Sequence, residues 1–324
     1  MKLARITRLL GASLAAGLVV AACAPAPAAE QPDDAKPYIA IVSKGWQHAF
    51  WQAVQIGAID EAARLGASIT YEGPATEAEV DRQLTMLRSA LDRNPDALCF
   101  AALDSMAAIP LMERAQEMGI PVIAFDSGVD SPIPVTTAAT DNLAAAATAA
   151  DKMAELIGGA GQVAVVVHDS TSITGIHRRD GFVSRMEEAH PDIEIVAIEY
   201  GAGDPLRSAD LTKAVMARFP DLEGIFGANE GSAKGVLNAL AETGRENEIA
   251  VIGYDSGAQQ IEAIRAGVMA GAITQNPIGI GAQCVWAAME AIAGREVPEF
   301  IDTGFFWYDR TNIDNPEIQA LLYQ

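Results

Sequence analysis

Two carboxylates recur in one setting. Val122-Ile-Ala-Phe-Asp-Ser-Gly128 reappears as Val251-Ile-Gly-Tyr-Asp-Ser-Gly257. In both copies an apolar run with β-branched residues ends in Asp-Ser-Gly, the pattern of a buried parallel strand with a turn at its carboxyl end. Ligands of open α/β sheets sit just outside the carboxyl ends of strands. Asp126 and Asp255 therefore stand where a ligand would, with Ser127 beside the first. One Asp-Ser-Gly alone is ordinary turn chemistry. Two matched copies about one domain length apart imply two similar lobes, each offering a carboxylate to a ligand held between them.

Other residue types point the same way. Trp46, His48, Phe50 and Trp51 cluster at or just after the end of the first expected strand. Aromatic faces there can stack on the apolar face of a sugar ring while a polar neighbour bonds a hydroxyl. Trp51 also begins an apolar helical stripe and so reads equally as core, whereas Phe50 stands beside the stripe. Arg178, in Gly175-Ile-His-Arg-Arg-Asp-Gly181, lies near a strand end and brings several fixed donors; Arg179 reads as part of a solvated helix start. Asn229 and Glu230 follow an apolar strand, where Asn suits a hydroxyl and equally a helix cap. Gln275 precedes Pro277, a natural first residue of a helix.

Catalytic sets are missing from the sequence. There is no phosphate-binding P-loop, and the histidines at 48, 168, 177 and 190 do not have zinc-site spacing. There is no Gly-x-Ser-x-Gly elbow. Paired carboxylates serve glycosidases, but Asp126 and Asp255 belong to separate lobes, and nothing in the sequence argues for a raised pKa on either. A binding protein without enzymatic activity, cofactor or metal is expected.

The elements that must position these residues alternate along the chain. Apolar spacing and turn signals predict strands over 38–43, 68–71, 96–103, 120–125, 162–168, 193–200, 223–227, 248–254, 268–275 and 298–306. Helices are predicted over 51–65, 80–91, 105–118, 141–157, 174–189, 205–218, 231–243, 258–266 and 278–293, with a short helix from Pro316. Such alternation implies α/β architecture: doubly wound parallel sheets with right-handed crossovers.

The first residues decide the compartment. Lys2, Arg5 and Arg8 precede the small, apolar stretch 9–22, as in a secretory signal of residues 1–22. Val20-Ala-Ala-Cys23 resembles the bacterial lipoprotein signal, which implies cleavage before Cys23 and lipid attachment there. Residues 23–36 then form the anchor and a Pro/Ala-rich flexible tether. The formal net charge of −21 argues against nucleic acid and against a polybasic membrane patch. Cys99, in an apolar strand, and Cys284, in a helical stretch, are expected to be buried free thiols rather than a disulfide or metal pair.

Taken in order, these residues resemble the periplasmic substrate-binding proteins of sugar ABC importers, of the ribose-binding type, over nearly the whole chain after the tether. The landmarks are His48-Ala-Phe-Trp51, Gly119-Ile-Pro-Val-Ile-Ala-Phe-Asp126, Thr140-Asp-Asn142, Arg178 with Arg-Asp-Gly-Phe182, Gly227-Ala-Asn229-Glu230, Val251-Ile-Gly-Tyr-Asp255 and Gly271-Ala-Ile-Thr-Gln275. The resemblance implies the type I periplasmic binding protein fold, two lobes joined by a three-segment hinge. It implies ligand contacts at Phe50, Trp51, Asp126, Arg178, Asn229, Asp255 and Gln275. It also implies crossings near 140–141, 275–276 and 303–305, with lobe 1 as 37–140 plus 276–303 and lobe 2 as 141–275 plus 304–324. His48 and Ser127 stand where ribose-type proteins tend to carry Asn and Arg, and an aromatic expected near Gly203 is missing, so ribose is not expected to be the tightest ligand; a larger or differently hydroxylated sugar, a polyol or another small polar furanose-like signal stays open. The implied function is a monomeric, lipid-anchored receptor, in the periplasm or on the outer face of the cytoplasmic membrane, that delivers its ligand to an ABC permease. The alternative is a sensing module that feeds a chemoreceptor or sensor kinase. A LacI-type regulator would share the fold but would need a basic DNA-binding headpiece in place of the export signal.

Overall fold

Strands that are apolar at every position must be covered on both faces. Ala97-Leu-Cys-Phe100 and Val122-Ile-Ala-Phe125 are buried at every residue and lie side by side at the centre of a sheet. The structure is a computed structural model and describes residues 36–323; the expected signal, Cys23 and most of the tether lie outside them. The first half runs β1 (Tyr38–Val42), α1 (Ala49–Leu65), β2 (Ser68–Glu72), α2 (Val80–Asp92), β3 (Ala97–Phe100), α3 (Ile109–Glu117), β4 (Val122–Phe125) and β5 (Thr136–Ala139). The second runs α4 (Asn142–Ile157), β6 (Gly161–Val167), α5 (Ile173–Ala189), β7 (Ile193–Tyr200), α6 (Pro205–Arg218), β8 (Leu222–Gly227), α7 (Glu230–Thr243), β9 (Ala250–Tyr254), α8 (Ala258–Ala266) and β10 (Gly271–Gln275). The chain ends with α9 (Pro277–Ile292), β11 (Phe300–Asp302), β12 (Phe305–Asp309) and α10 (Pro316–Gln319).

These elements build two α/β lobes, each around a six-stranded sheet. The orders are β11-β5-β4-β3-β1-β2 and β12-β10-β9-β8-β6-β7. The first sheet is parallel throughout; in the second, β12 alone runs antiparallel, against β10. Successive strand residues feed opposite faces. Ile39, Ile41 and Cys99 face α1 and α9, while Ala40, Val42 and Leu98 face α2 and α3. In the second lobe Val163 and Val165 face α4 and α5, and Ala164 and Val166 face α6 and α7. Among the described residues no helix is long and apolar enough to cross a membrane.

Three expectations need correction. β5 was not foreseen, because Thr136-Thr-Ala-Ala139 carries almost no apolar signal; it is a strand because its neighbours β4 and β11 make it one. The single strand expected over 298–306 is two strands, β11 and β12, which leave in different sheets after a turn at Gly304, where φ is +78°. Cys99 and Cys284 are not free thiols: they form a disulfide across a sequence separation of 185, with their Cα atoms 6.3 Å apart. α9 packs over β3 and carries one sulfur onto the other, within the Cα range a bridge requires.

The helix pair α1 and α9 crosses at two glycines. A Cβ on Gly57 would collide with the Ile278 carbonyl, and one on Gly281 with the Val54 carbonyl. Both obstacles are backbone and cannot swing away. Gly57→Ala and Gly281→Ala are each expected to destabilise the protein by about 1–3 kcal/mol, measurable by urea denaturation; unchanged midpoints for both would contradict the close crossing.

Candidate functional site

Both copies of Asp-Ser-Gly end their strands as the repeat predicts, and both aspartates adopt the left-handed backbone region, Asp126 at φ 55° and Asp255 at φ 78°. Non-glycine residues rarely sit there, and Asp is among the few that tolerate it. Each Asp N–H reaches sideways to the next strand: Asp126 to Ala138 O at 2.9 Å, Asp255 to Ile273 O at 2.7 Å. The bend lifts each carboxylate off its sheet into one shared cavity. That cavity is lined by residues of both lobes.

Of the residues singled out in the sequence, His48, Phe50, Trp51, Asp126, Arg178, Asn229, Asp255 and Gln275 line this cavity. Ser127 does not. The left-handed turn at Asp126 sends Ser127 beneath the sheet edge, fully buried, with its carbonyl accepting from Ala102 N–H at 3.0 Å and its hydroxyl unpartnered. Trp46 also stays outside, edge-on to Tyr71, and Arg179 pairs with Asp180 and Tyr200. Phe50 and Trp51 both line the cavity and belong to the first lobe's core. The C-terminal Tyr323 packs against Phe50, with ring centroids 6.0 Å apart, while its N–H donates to Ser256 of the second lobe.

Lys44, Glu77, His168 and Thr174 complete the lining and were missed. Lys44 lies two residues beyond β1 and His168 directly follows β6, so the rule that picked out Asp126 would have found both. Glu77 lies in the β2–α2 loop, where no pattern marks it. Its carboxylate accepts the Trp51 indole N–H at 2.8 Å and the Asn229 amide at 3.5 Å. Lys44 crosses from the first lobe to donate to Thr174 Oγ1 of the second at 2.9 Å. Beyond the cavity, Thr171 Oγ1 donates to Leu103 O at 3.1 Å. The lobes are closed on each other.

The two repeated aspartates have different surroundings. Asp255 accepts from Gln275 Nε2 at 2.7 Å and from the Glu230 N–H, at the start of α7, at 3.0 Å. A helix N-terminus favours such an anion. Asn229 caps the same helix, accepting from Ser232 N–H at 2.8 Å, and also lines the cavity. No hydrogen bond among the described residues reaches the Asp126 carboxylate. Burial pushes its pKa up to about 6, against the pull of Lys44 and Arg178. Nothing in the residue pattern around Asp126 marks this raised value. Glu77 is opposed by burial too, but Lys44, His48 and the Trp51 hydrogen bond hold it below the usual carboxylate range.

Arg178 is positioned before any ligand arrives. Its Nε donates to Asn142 Oδ1 at 2.7 Å and its Nη1 to Ala228 O at 3.0 Å. Its guanidinium carbon lies 3.7 Å from the centre of the Tyr254 ring, a stacking arrangement favourable for a cation. The Tyr254 hydroxyl donates to the same Asn142 oxygen at 2.8 Å. Among the described residues no cluster of His, Cys, Asp and Glu has the geometry to hold a metal ion.

Two α/β lobes closed over a polar, aromatic-edged cavity define a two-lobed binding protein of the type I periplasmic binding fold. A family model described as "Periplasmic binding protein domain" matches residues 39–296, and the chain belongs to that family. It is 27% identical over 268 residues to the D-allose-binding periplasmic protein of Escherichia coli (strain K12), covering 80% of this chain and 86% of that protein. An ABC transporter solute binding protein from Agrobacterium vitis with bound D-fucose superposes with a TM-score of 0.85 at 31% identity, over 88% of this chain and all (100%) of that one. A carbohydrate transporter solute binding protein from Agrobacterium radiobacter, in complex with D-arabinose, gives 0.86 at 27% identity, over 90% and 100%.

The raised pKa of Asp126 has a consequence for stability. Below the unfolded value near 3.8 the group is protonated in both states and costs nothing. As pH rises toward 6 the unfolded chain ionises first, and above about 6 the folded protein carries the full penalty, about 3 kcal/mol. Ligand-free Asp126→Asn is therefore expected to be more stable than wild type at pH 7, with the difference vanishing near pH 4. Denaturation midpoints across that range test this; a difference independent of pH would sink it.

Proposed function

We propose that this protein is the extracytoplasmic solute-binding component of an ABC importer and that it captures a neutral hydroxylated small molecule, a monosaccharide or polyol, between its lobes. The observation that carries the reading is Asp126, a buried carboxylate with no hydrogen bond among the described residues, in a cavity lined by both lobes. Buried acceptors require donors, and sugar hydroxyls supply them. Arg178 commits Nε and Nη1 to the protein, which leaves Nη2 for a ligand oxygen. Phe50 and Trp51 offer flat apolar edges to a ring. The relatives support this class of ligand by what they are named for: D-allose for one, bound D-fucose and D-arabinose for two others.

In this reading the ligand contacts are His48, Phe50, Trp51, Asp126, Arg178, Asn229, Asp255 and Gln275, joined by Lys44 and Glu77. The lobes part about crossings near Thr140–Asp141, Gln275–Asn276 and Thr303–Phe305. Ligand touching both lobes only in the closed form shifts the open–closed equilibrium, and the closed form delivers it to a membrane permease. Cys23 carries the lipid that keeps the protein at the membrane. No reaction on the ligand is required.

A thermal-shift screen of sugars and polyols on the mature protein tests the function, since a tight ligand raises apparent stability; no shift with any member would overturn it. For the tightest ligand, Asp126→Ala and Asp255→Ala are each expected to weaken binding by about 2–4 kcal/mol in calorimetry. Sugar phosphates and sugar acids are expected to bind worse than the parent sugar, because Asp126, Asp255 and Glu77 oppose their charge; tightest binding of a phosphate would refute the charge argument. Cys23→Ala is expected to give released or unprocessed protein, and intact labelling of that variant by a lipid probe would refute the anchor.

A further inference from the structure

His168 is the polar group of the cavity that nothing above uses. It directly follows β6, is 1% exposed, and lines the cavity floor with Thr174 and Lys44. Its Nε2 is engaged, 3.1 Å from Thr174 Oγ1 and 3.7 Å from Asp169 Oδ2. Its Nδ1 is buried and has no hydrogen-bond partner among the described residues. Leaving such an atom unpaired is costly, so an unpaired nitrogen on a residue that lines the cavity calls for a ligand atom.

We infer that His168 is a specificity-determining contact of the sugar site, with Nδ1 accepting a hydrogen bond from one particular hydroxyl of the bound ring. The inference rests on the function proposed above and names the residue that reads one ring position. The imidazole is neutral, because burial drives its pKa well below the usual value, so one nitrogen carries the proton and the other a lone pair. The Asp169 carboxylate beside Nε2 favours the proton there, which leaves the lone pair on Nδ1. Asp169 is itself fixed by the Ser172 N–H at 2.7 Å and the Ser172 hydroxyl at 2.9 Å. Thr174 is pinned by Lys44 from the other lobe, so ring and partners are held in place when the lobes are closed. A neutral, single, directional acceptor differs from the charged aspartates: it rewards one hydroxyl and leaves a buried group unpaired when that hydroxyl is missing.

His168 and Glu77 also border a second chamber of the cleft, lined by Val80 and Leu103 of one lobe and Tyr200 and Arg207 of the other. His168 thus stands at the border between the two spaces.

The test begins with D-allose, D-ribose, D-fucose and D-arabinose on the mature wild-type protein, then takes the tightest sugar and its monodeoxy analogues by calorimetry. Wild type is expected to reject one analogue by about tenfold or more, and His168→Leu to reduce that discrimination to about threefold or less while other positions remain discriminated. His168→Gln, which keeps an acceptor, is expected to restore part of it. Discrimination retained at every ring position in His168→Leu overturns the inference. Should that variant fail to fold, nitrogen-15 NMR of the histidine rings in wild type decides: the His168 Nδ1 resonance is expected to move on saturation with sugar, and an unmoved resonance overturns the assignment. Wild type that binds no sugar or polyol overturns the underlying functional reading, and this inference with it.

Discussion

Charge buried in a small space governs this protein. Lys44, Glu77, Asp126, Arg178 and Asp255 share one cavity, and each is at most 9% exposed. An isolated ion in such surroundings is costly, and a pair recovers that cost only when the remaining hydrogen-bonding capacity is also met. Four of the five are met by protein: Lys44 by Thr174, Glu77 by Trp51, Arg178 by Asn142 and Ala228, Asp255 by Gln275 and the start of α7. Asp126 is the remainder. Much of the surrounding architecture, from the stacked Tyr254 to the capped α7, serves to hold the other charges while one carboxylate stays available.

The same logic explains why one motif is written twice and used differently. Both lobes need an aspartate at a strand end in the left-handed conformation, with its N–H tied to the adjacent strand. The second lobe then brings a helix N-terminus to its copy and the first lobe does not. A shared backbone device thus yields one carboxylate satisfied by the protein and one with no hydrogen bond among the described residues.

The sequence revealed the lobes and most of the cavity because those signals are local. A β-branched run ending in Asp-Ser-Gly shows both strand and turn, and alternation alone implies doubly wound sheets. What stayed hidden depends on the third dimension. Thr136–Ala139 is a strand only because of its neighbours, and the bond between Cys99 and Cys284 exists only because α9 lies on β3. Glu77 gains its place from the folding of a loop, and its carboxylate meets an indole twenty-six residues upstream. Ser127 shows the converse: adjacency to Asp126 suggested a shared role, but Ser127 is fully buried and does not line the cavity. Lys44 and His168 were legible and unread, since both lie at strand ends.

The disulfide has a further meaning for how the molecule holds together. β3 and α9 both belong to the first lobe, yet β6 to β10 of the second lobe all lie between Cys99 and Cys284 in the chain. The second sheet, apart from β12, is thus strung on a covalent ring closed inside the first lobe. Loop-closure entropy for a ring of this size favours the folded state by about 5 kcal/mol. The two distant chain segments of the first lobe are thereby tied to each other directly. A peptide bond cut anywhere in the ring would leave the protein in one piece until the sulfurs were reduced, so a break in most of the second lobe would not release a fragment in an oxidising compartment.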